Sequence, residues 1–157
     1  MPTMHNEVSY CALYCGNCFI RKGDVTNRAT ELLQMLNDVN FGKWASGLAE
    51  INPAEMNAFK FHQECCDVLS AWDNMRCDKI CREGGGSSEC GIRDCCKQKG
   101  LQGCWECDEF QSCATLGALQ KVNGNRIIQN ILMIQKQGIE AFVSSIEKSP
   151  DCNFWYS

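Results

Sequence analysis

Apolar side chains recur at helical spacing over residues 24–75. Asp24 can cap a first helix, and the pattern resumes more loosely over residues 38–51. Asn52-Pro53 with Glu55 is a strong helix-start signal, and we expect the helix that follows to reach about Met75. The residues spaced as core stripes are Val25, Ala29, Leu32, Leu33 and Leu36 in the first helix and Met56, Phe59, Cys66, Leu69 and Trp72 in the last.

A second helical block covers residues 114–149. Three apolar stripes there predict three helices, which end near Asn123-Gly124, near Gly138 and at Ser149-Pro150. Cys152 follows in a tail with Phe154, Trp155 and Tyr156, which we expect to pack back on the body. The sequence therefore predicts a mainly α protein with helices on both sides of its middle.

The middle of the chain, residues 76–113, lacks any long apolar periodicity. A Gly/Ser run at residues 84–88 indicates a flexible loop without the Gly-Lys-Ser/Thr ending of a nucleotide loop, and one short helix is expected from Ile92 to Lys99, stopped by Gly100. We expect this segment to build no core and to fold only when cross-linked. It holds eight of the 14 cysteines: Cys77, Cys81, Cys90, Cys95, Cys96, Cys104, Cys107 and Cys113.

Two pairs of cysteines have the two-residue spacing of a metal-binding knuckle, Cys15/Cys18 and Cys104/Cys107. With Cys11, the first pair also matches the Cys-x-x-x-Cys-x-x-Cys spacing of radical S-adenosylmethionine enzymes, although Asn17 stands where those enzymes usually carry an aromatic residue. Thiolate ligands and knuckle turns favour zinc, and an iron–sulfur cluster is the rival. With two histidines in the chain, a metal site must consist mainly of thiolates. The His62/Cys66 pair, four residues apart, is more typical of a core.

The length and the net charge of the chain narrow the possible classes of protein further. At 157 residues we expect one domain: a knuckle segment (1–23), helices (24–75), a cysteine-rich metal-binding segment (76–113) and C-terminal helices (114–149). The net charge of −4 becomes more negative by about 2 with each four-thiolate zinc site, which disfavours nucleic acid as a partner. The polar start and the lack of a long apolar run predict a cytoplasmic protein without a membrane span, whose thiols stay reduced.

Four segments resemble a family of small cysteine-rich bacterial and archaeal proteins of unestablished function, commonly regarded as zinc-binding: residues 10–18 (YCALYCGNC), 77–81, 90–113 (CGIRDCCKQKGLQGCWECDEFQSC) and 130–141 (NILMIQKQGIEA). The family often has a cysteine at the position of Ser87, and its first central pair is usually two residues apart rather than three. The resemblance implies no catalytic activity, and it leaves Cys65, Cys66, Cys96 and Cys152 as core or surface thiols. It implies ten metal ligands: Cys11, Cys15, Cys18, Cys77, Cys81, Cys90, Cys95, Cys104, Cys107 and Cys113.

Ten sulfurs suffice for two four-coordinate zinc sites with two left over. The favoured hypothesis is a metal-stapled binding module, that is, one held together by metal, whose partner is a protein or a small molecule. The sequence offers few candidate catalytic residues, which argues against an enzyme. The first alternative is a thiol redox or metal-handling protein using exposed thiols such as Cys65-Cys66 or Cys95-Cys96. The second is an iron–sulfur protein built on Cys11, Cys15 and Cys18.

Overall fold

The computed structural model describes residues 4–148, and the predicted mainly α fold is confirmed. This range contains no β-strand, only an isolated bridge between Val8 and Tyr14. None of its helices has both the length and the apolar character needed to cross a membrane. Cys152 and the aromatic tail lie outside the described residues. The α-helices are α1 Phe19–Lys22, α2 Asp24–Asp38, α3 Gly42–Ile51, α4 Pro53–Met56, α5 His62–Asn74, α6 Gly91–Lys99, α7 Ala114–Asn123, α8 Arg126–Gln137 and α9 Ile139–Lys148. Short 3-10 helices cover Met4–Glu7, Cys15–Asn17, Asn57–Phe61, Cys81–Glu83, Cys104–Glu106 and Phe110–Ser112.

The chain divides into two compact units. The helical unit is Gly23–Arg76, and the cysteine unit comprises the chain up to Lys22 and again from Cys77 onward. The helical unit coincides within one residue at each end with the segment predicted as helices, 24–75. That all segments form one domain remains a prediction.

In the helical unit, α2 and α5 lie side by side and run in opposite directions. The Thr30 hydroxyl donates a hydrogen bond to Asp73 Oδ1 at 2.6 Å, and one turn away Arg76 Nη1 donates to Asn27 Oδ1 at 2.7 Å. Pairing of early residues in α2 with late residues in α5 places both ends of the unit, Gly23 and Arg76, at the same end of the helix pair.

Two details of the helical unit differ from the prediction. Asp24 is the first residue of α2 rather than its cap, and Gly23 occupies the cap position with a φ of 77°. The helix expected from Pro53 to Met75 is interrupted by the 3-10 helix Asn57–Phe61. Tighter 3-10 winding puts Phe59 and His62, three residues apart, on one side, where the Phe41 ring contacts both at centroid distances of 5.2 and 5.4 Å.

The apolar stripes of the helical unit are also less buried than expected. Of their members, Ala29 and Cys66 are buried, whereas Leu32 is 45% exposed and Phe59 is exposed as well. The buried face of α2 is instead centred on Thr26 and Ala29. The buried face of α2 is therefore shifted by about one residue around the helix from the face that apolar spacing predicts. The shift arises because small and polar residues form the contact of α2 with α5.

The cysteine unit contains a larger core, built on α8 and α9. Its members in these helices are fully or almost fully buried, and residues from the N-terminal segment join them. The middle segment, expected to build no core, supplies Ile92, Cys96, Cys104 and Phe110. That expectation was wrong because each short element contributes only one or two side chains, which leaves no periodic signal. The remaining buried members are Val8, Cys11, Ala12, Tyr14, Leu116, Ile127, Ile131, Ile134, Phe142 and Val143.

The Gly/Ser loop is held by a buried arginine rather than being free. Arg93 on α6 is 4% exposed, and its guanidinium donates to the carbonyl oxygens of Gly85 (2.9 Å), Ser87 (2.7 Å) and Ser88 (3.0 Å). A Cβ at position 85 would collide with the Lys79 carbonyl oxygen, so the chain approaches itself there as only glycine allows. The loop therefore has a defined path beside the cysteines that flank it.

Candidate functional site

Both predicted knuckles fold into the same tight turn. The 3-10 helices Cys15–Asn17 and Cys104–Glu106 each begin at the first cysteine of a pair. The backbone N–H of the second cysteine donates back to the carbonyl oxygen of the first, at 3.3 Å for Cys18 and 3.1 Å for Cys107. The second cysteine then leaves in an extended conformation, with φ and ψ of −70° and 118° at Cys18 and −96° and 125° at Cys107.

Direct hydrogen bonds connect the segments that carry the two knuckles. The Cys104 N–H donates to the Tyr10 carbonyl oxygen at 2.8 Å. Arg82 bridges the same segments: its Nε donates to the Val8 carbonyl oxygen at 3.0 Å and its Nη2 to the Gln102 carbonyl oxygen at 2.7 Å. Its guanidinium also lies 4.7 Å from the centre of the Tyr10 ring. Sequence reasoning missed this role of Arg82, because all of its hydrogen-bond partners here are distant in the chain.

The first cysteine group consists of Cys15, Cys18, Cys77 and Cys81. Burial raises the pKa of the Cys15 thiol to about 11. The backbone N–H of Cys81 donates to the Cys15 sulfur and opposes this rise, whereas the charges of the other three cysteines increase it. Cys77 Sγ accepts a hydrogen bond from the Gly86 N–H at 3.2 Å and donates one to the Lys79 carbonyl oxygen at 3.2 Å. The fold thus brings the N-terminal knuckle beside the first cysteines of the middle segment.

Cys11 lies next to this group in a turn of its own. It is buried, its Sγ is 3.1 Å from Ser9 Oγ, and burial raises the pKa of its thiol to about 11, with a further contribution from Cys81 and Cys90. The following residue, Ala12, has a φ of 63°, which an L-residue rarely adopts. Asn130 on α8 fixes this turn, since its buried Nδ2 donates to the Ala12 carbonyl oxygen at 2.9 Å.

The second cysteine group surrounds a cavity of about 270 Å³ that is lined by residues of α6, of α7 and of the segment between them. The Sγ atoms of Cys96 and Cys104 are 3.8 Å apart, and burial raises the pKa of both thiols. Lys99 and Glu109 also line the cavity, with Lys99 Nζ 3.9 Å from Glu109 Oε2. Five cysteines belong to this group: Cys95, Cys96, Cys104, Cys107 and Cys113.

Eight of the ten cysteines predicted as ligands belong to these two groups, and the other two, Cys11 and Cys90, lie near each other, with Cys11 also close to Cys81. Cys95 is the exposed one among the ten; the others are buried or half-buried. The structure adds Cys96, which sequence reasoning had left out. A signal for it was present, because Cys96 follows Ile92 by four residues and so shares the buried face of α6. Cys65 and Cys66 are both in the helical unit, where Cys66 is buried with its Sγ 3.6 Å from His62 Nε2.

The donor atoms of both groups suit zinc or an iron–sulfur cluster, since soft thiolates are the ligands that these metals prefer. All 13 cysteines of residues 4–148 are free thiols. Over the same range, however, no three Cys, His, Asp or Glu side chains are already arranged so that they could hold one metal ion. The ligand assignment and the zinc therefore remain predictions.

These features define an all-α, cysteine-rich protein. The chain belongs to the family described as "Protein of unknown function (DUF3795)", whose family model matches residues 7–118. The match contains all ten predicted ligand cysteines and extends through both units, whereas α8, α9 and the fourth resembling segment, residues 130–141, lie beyond it. No curated protein and no solved structure matches the chain.

Proposed function

We propose that this is a zinc-binding protein in which two thiolate sites cross-link the cysteine unit. The observation that carries the proposal is the gathering of cysteines from distant parts of the chain: Cys77 and Cys81 lie beside Cys15, and five further cysteines surround one cavity. Thiols collected in this way without disulfides are typical of a metal site in a reducing compartment. Zinc then cross-links short elements that each contribute only one or two side chains to the core.

We assign the first site to Cys15, Cys18, Cys77 and Cys81. Two backbone N–H groups, those of Cys81 and Gly86, already donate to sulfurs of this group. Such hydrogen bonds strengthen when the sulfur becomes a thiolate, because a charged acceptor attracts the donor more strongly. Metal binding also requires Cys77 to give up the proton it now donates to the Lys79 carbonyl oxygen.

The second site draws its ligands from the cavity, where Cys95, Cys104, Cys107 and Cys113 are the four predicted from the sequence. Lys99 beside it partly offsets the net charge of about −2 that four thiolates and one zinc ion carry. Cys11 and Cys90 are then the two sulfurs left over. In both sites side-chain rotation must bring the sulfurs to bonding distance when the ion binds.

The two alternatives have less support. Redox chemistry needs accessible thiols of low pKa, but burial raises the thiol pKa at five positions, Cys11, Cys15, Cys66, Cys96 and Cys104. A radical S-adenosylmethionine enzyme needs a barrel of alternating strands and helices, and residues 4–148 contain no strand. A smaller iron–sulfur protein on Cys11, Cys15 and Cys18 remains the competing metal hypothesis.

In biological terms we propose a cytoplasmic, non-catalytic module that presents a zinc-stabilised surface to a protein or small-molecule partner. Closed four-thiolate sites leave no position at the metal for a substrate. The acidic net charge of −4 works against nucleic acid as that partner.

Elemental analysis of untagged protein purified under reducing conditions tests the proposal. We expect about two zinc ions per chain, and about one in each of the variants Cys15→Ser and Cys107→Ser. Cys65→Ser is the matched control, because Cys65 is an exposed thiol of the helical unit, and it should keep both ions. Wild-type protein with less than about half an equivalent of zinc contradicts the proposal. Iron with visible charge-transfer absorption after anaerobic purification favours the iron–sulfur alternative.

A further inference from the structure

We propose that Cys96, and not Cys95, is the fourth ligand of the second site, together with Cys104, Cys107 and Cys113. The inference rests on the proposed function and replaces one member of the ligand set expected from the sequence. Cys95 and Cys96 are neighbours on α6 and both line the cavity, so spacing in the sequence does not distinguish them.

The distance between two sulfurs favours Cys96. A zinc–sulfur bond length of about 2.3 Å and tetrahedral geometry place the sulfurs of any two ligands roughly 3.8 Å apart. The Sγ atoms of Cys96 and Cys104 are 3.8 Å apart in this structure. One edge of a zinc–thiolate tetrahedron is therefore already in place, and Cys107 and Cys113 line the same cavity to supply the other corners.

Burial also favours Cys96 over Cys95. Cys96 is 2% exposed and belongs to the core, while Cys95 is exposed. Successive residues on a helix point about 100° apart, so the two sulfurs leave α6 in different directions. Cys96 can serve as a ligand with α6 where it lies, because its sulfur is already next to that of Cys104.

Positively charged side chains near Cys96 can offset part of the negative charge of a zinc–thiolate centre. The Arg82 guanidinium lies 5.8 Å from the centre of the Trp105 ring, which stands between Cys104 and Cys107 in the sequence, and it is fixed by hydrogen bonds to the Val8 and Gln102 carbonyl oxygens. Lys99 adds a second positive charge at the cavity, and Glu109 is the acidic residue that faces it there. A fixed cation beside a closed site offsets part of the negative charge of its four thiolates.

The test compares Cys95→Ser with Cys96→Ser, two substitutions at adjacent positions. The readouts are zinc content and, after replacement of zinc by cobalt(II), the intensity of the sulfur-to-cobalt charge-transfer band, which grows with the number of thiolate ligands. We expect Cys95→Ser to keep about two zinc ions and the wild-type band intensity, and Cys96→Ser to lose about half of the bound zinc.

Because Cys96 is in the core, misfolding would also lower the zinc content of Cys96→Ser, so the exposed Cys95 provides the decisive measurement. If Cys95→Ser loses about one zinc ion, or if its cobalt band weakens, Cys95 is a ligand and the inference is overturned. Cys96→Ser with full zinc content and an unchanged band overturns it as well. In either case wild-type protein with about two zinc ions leaves the proposed function standing, whereas wild-type protein without zinc overturns both.

Discussion

The two units of this protein bury their apolar residues to very different degrees. In the described range the cysteine unit contains most of the buried hydrophobic side chains, among them Phe142, Ile127 and Ile131, which are fully buried. The helical unit contributes Ala29, Ala45 and Cys66 to that set, while its larger side chains Trp44 and Ile51 are 65% and 82% exposed. The unit composed of short, irregular elements therefore has the better core.

The difference shows two ways of holding short helices together. In the helical unit, α2 and α5 are joined through small residues and polar ties such as Thr30 to Asp73. In the cysteine unit, a core formed around α8 and α9 is joined to turns and short helices that carry eleven cysteines of the described range. The proposed zinc sites would act in the second unit alone, so the units should respond differently to metal, to truncation of side chains and to pH.

The largest expected effect is that of metal removal. Chelation under reducing conditions should expose backbone amides of the cysteine unit to hydrogen exchange, first in residues 77–113, because structural zinc contributes of order 10 kcal/mol to folding. Amides of α2 and α5 should keep their protection. Hydrogen exchange with mass spectrometry, before chelation, after it and after zinc is restored, measures this. Equal loss in both units would mean that metal organises the whole chain, and unchanged protection in residues 77–113 would mean that metal does not hold them.

Truncation of one aromatic residue in each unit comes next. Phe142→Ala should lower the free energy of unfolding by about 3–5 kcal/mol, because the ring is fully buried and leaves a cavity. Trp44→Ala should cost under about 1 kcal/mol, since that side chain is largely exposed. Urea unfolding of both zinc-loaded variants compares them. Similar midpoint shifts would contradict the contrast between the two cores.

A smaller effect is expected from Asn130→Ala, which removes the hydrogen bond between α8 and the N-terminal turn. The Ala12 carbonyl oxygen would stay buried without its donor, at a cost of about 1–3 kcal/mol. Gln129→Ala, at the exposed neighbouring position, is the control and should be nearly neutral. Thermal unfolding gives the difference, and hydrogen exchange of residues 9–18 shows whether the loss is local. Equal stability of the two variants would show that the Asn130 hydrogen bond is dispensable.

The smallest effect concerns acid and the helical unit. The hydrogen bond from Thr30, and then Arg76, lowers the pKa of Asp73 below its usual 3.8. A carboxyl with a lowered folded-state pKa stabilises the fold above its unfolded-state pKa, and this contribution disappears as the pH falls through the folded-state value. Asp73→Asn should therefore melt at a lower temperature than wild type near neutral pH, with the gap closing below about pH 4.

Circular dichroism at α-helical wavelengths measures that gap. Glu64→Gln, on the exposed side of the same helix, serves as the control for loss of one negative charge. A difference between Asp73→Asn and wild type that does not depend on pH would mean that the Asp73 charge is not what stabilises the α2–α5 pair.

Much of the helical framework could be predicted because its signals are local. The spacing of Ile127, Ile131 and Ile134 defines α8, and Gly100 ends α6 with a φ of 67°, as a C-terminal glycine does. The two knuckle turns also follow from local spacing. The helix from Pro53 was predicted as continuous, whereas the 3-10 helix Asn57–Phe61 interrupts it where Phe41 contacts Phe59 and His62, and sequence spacing does not reveal these contacts.

The candidate site was less predictable, since its groups assemble residues from separate segments. Spacing identified the knuckles, but it did not show that Cys81 would lie beside Cys15, or that Cys96 would lie closer to the core than Cys95. The buried Arg93 was also missed, since its partners are backbone carbonyl oxygens that carry no sequence signal. In each case the missing information is the identity of a partner distant in sequence.

Gly23 and Arg76, the two ends of the helical unit, lie at the same end of the α2–α5 pair, and this affects how much entropy the chain loses when the first zinc site forms. Cys18 and Cys77 are about 60 positions apart, and cross-linking a flexible loop of that length would restrict the unfolded chain by roughly 4 kcal/mol. When α2 and α5 are paired, however, most of that loop is already closed, and the metal has less disorder to remove. The gain from the first zinc site thus depends on the folding of a segment that supplies none of its ligands.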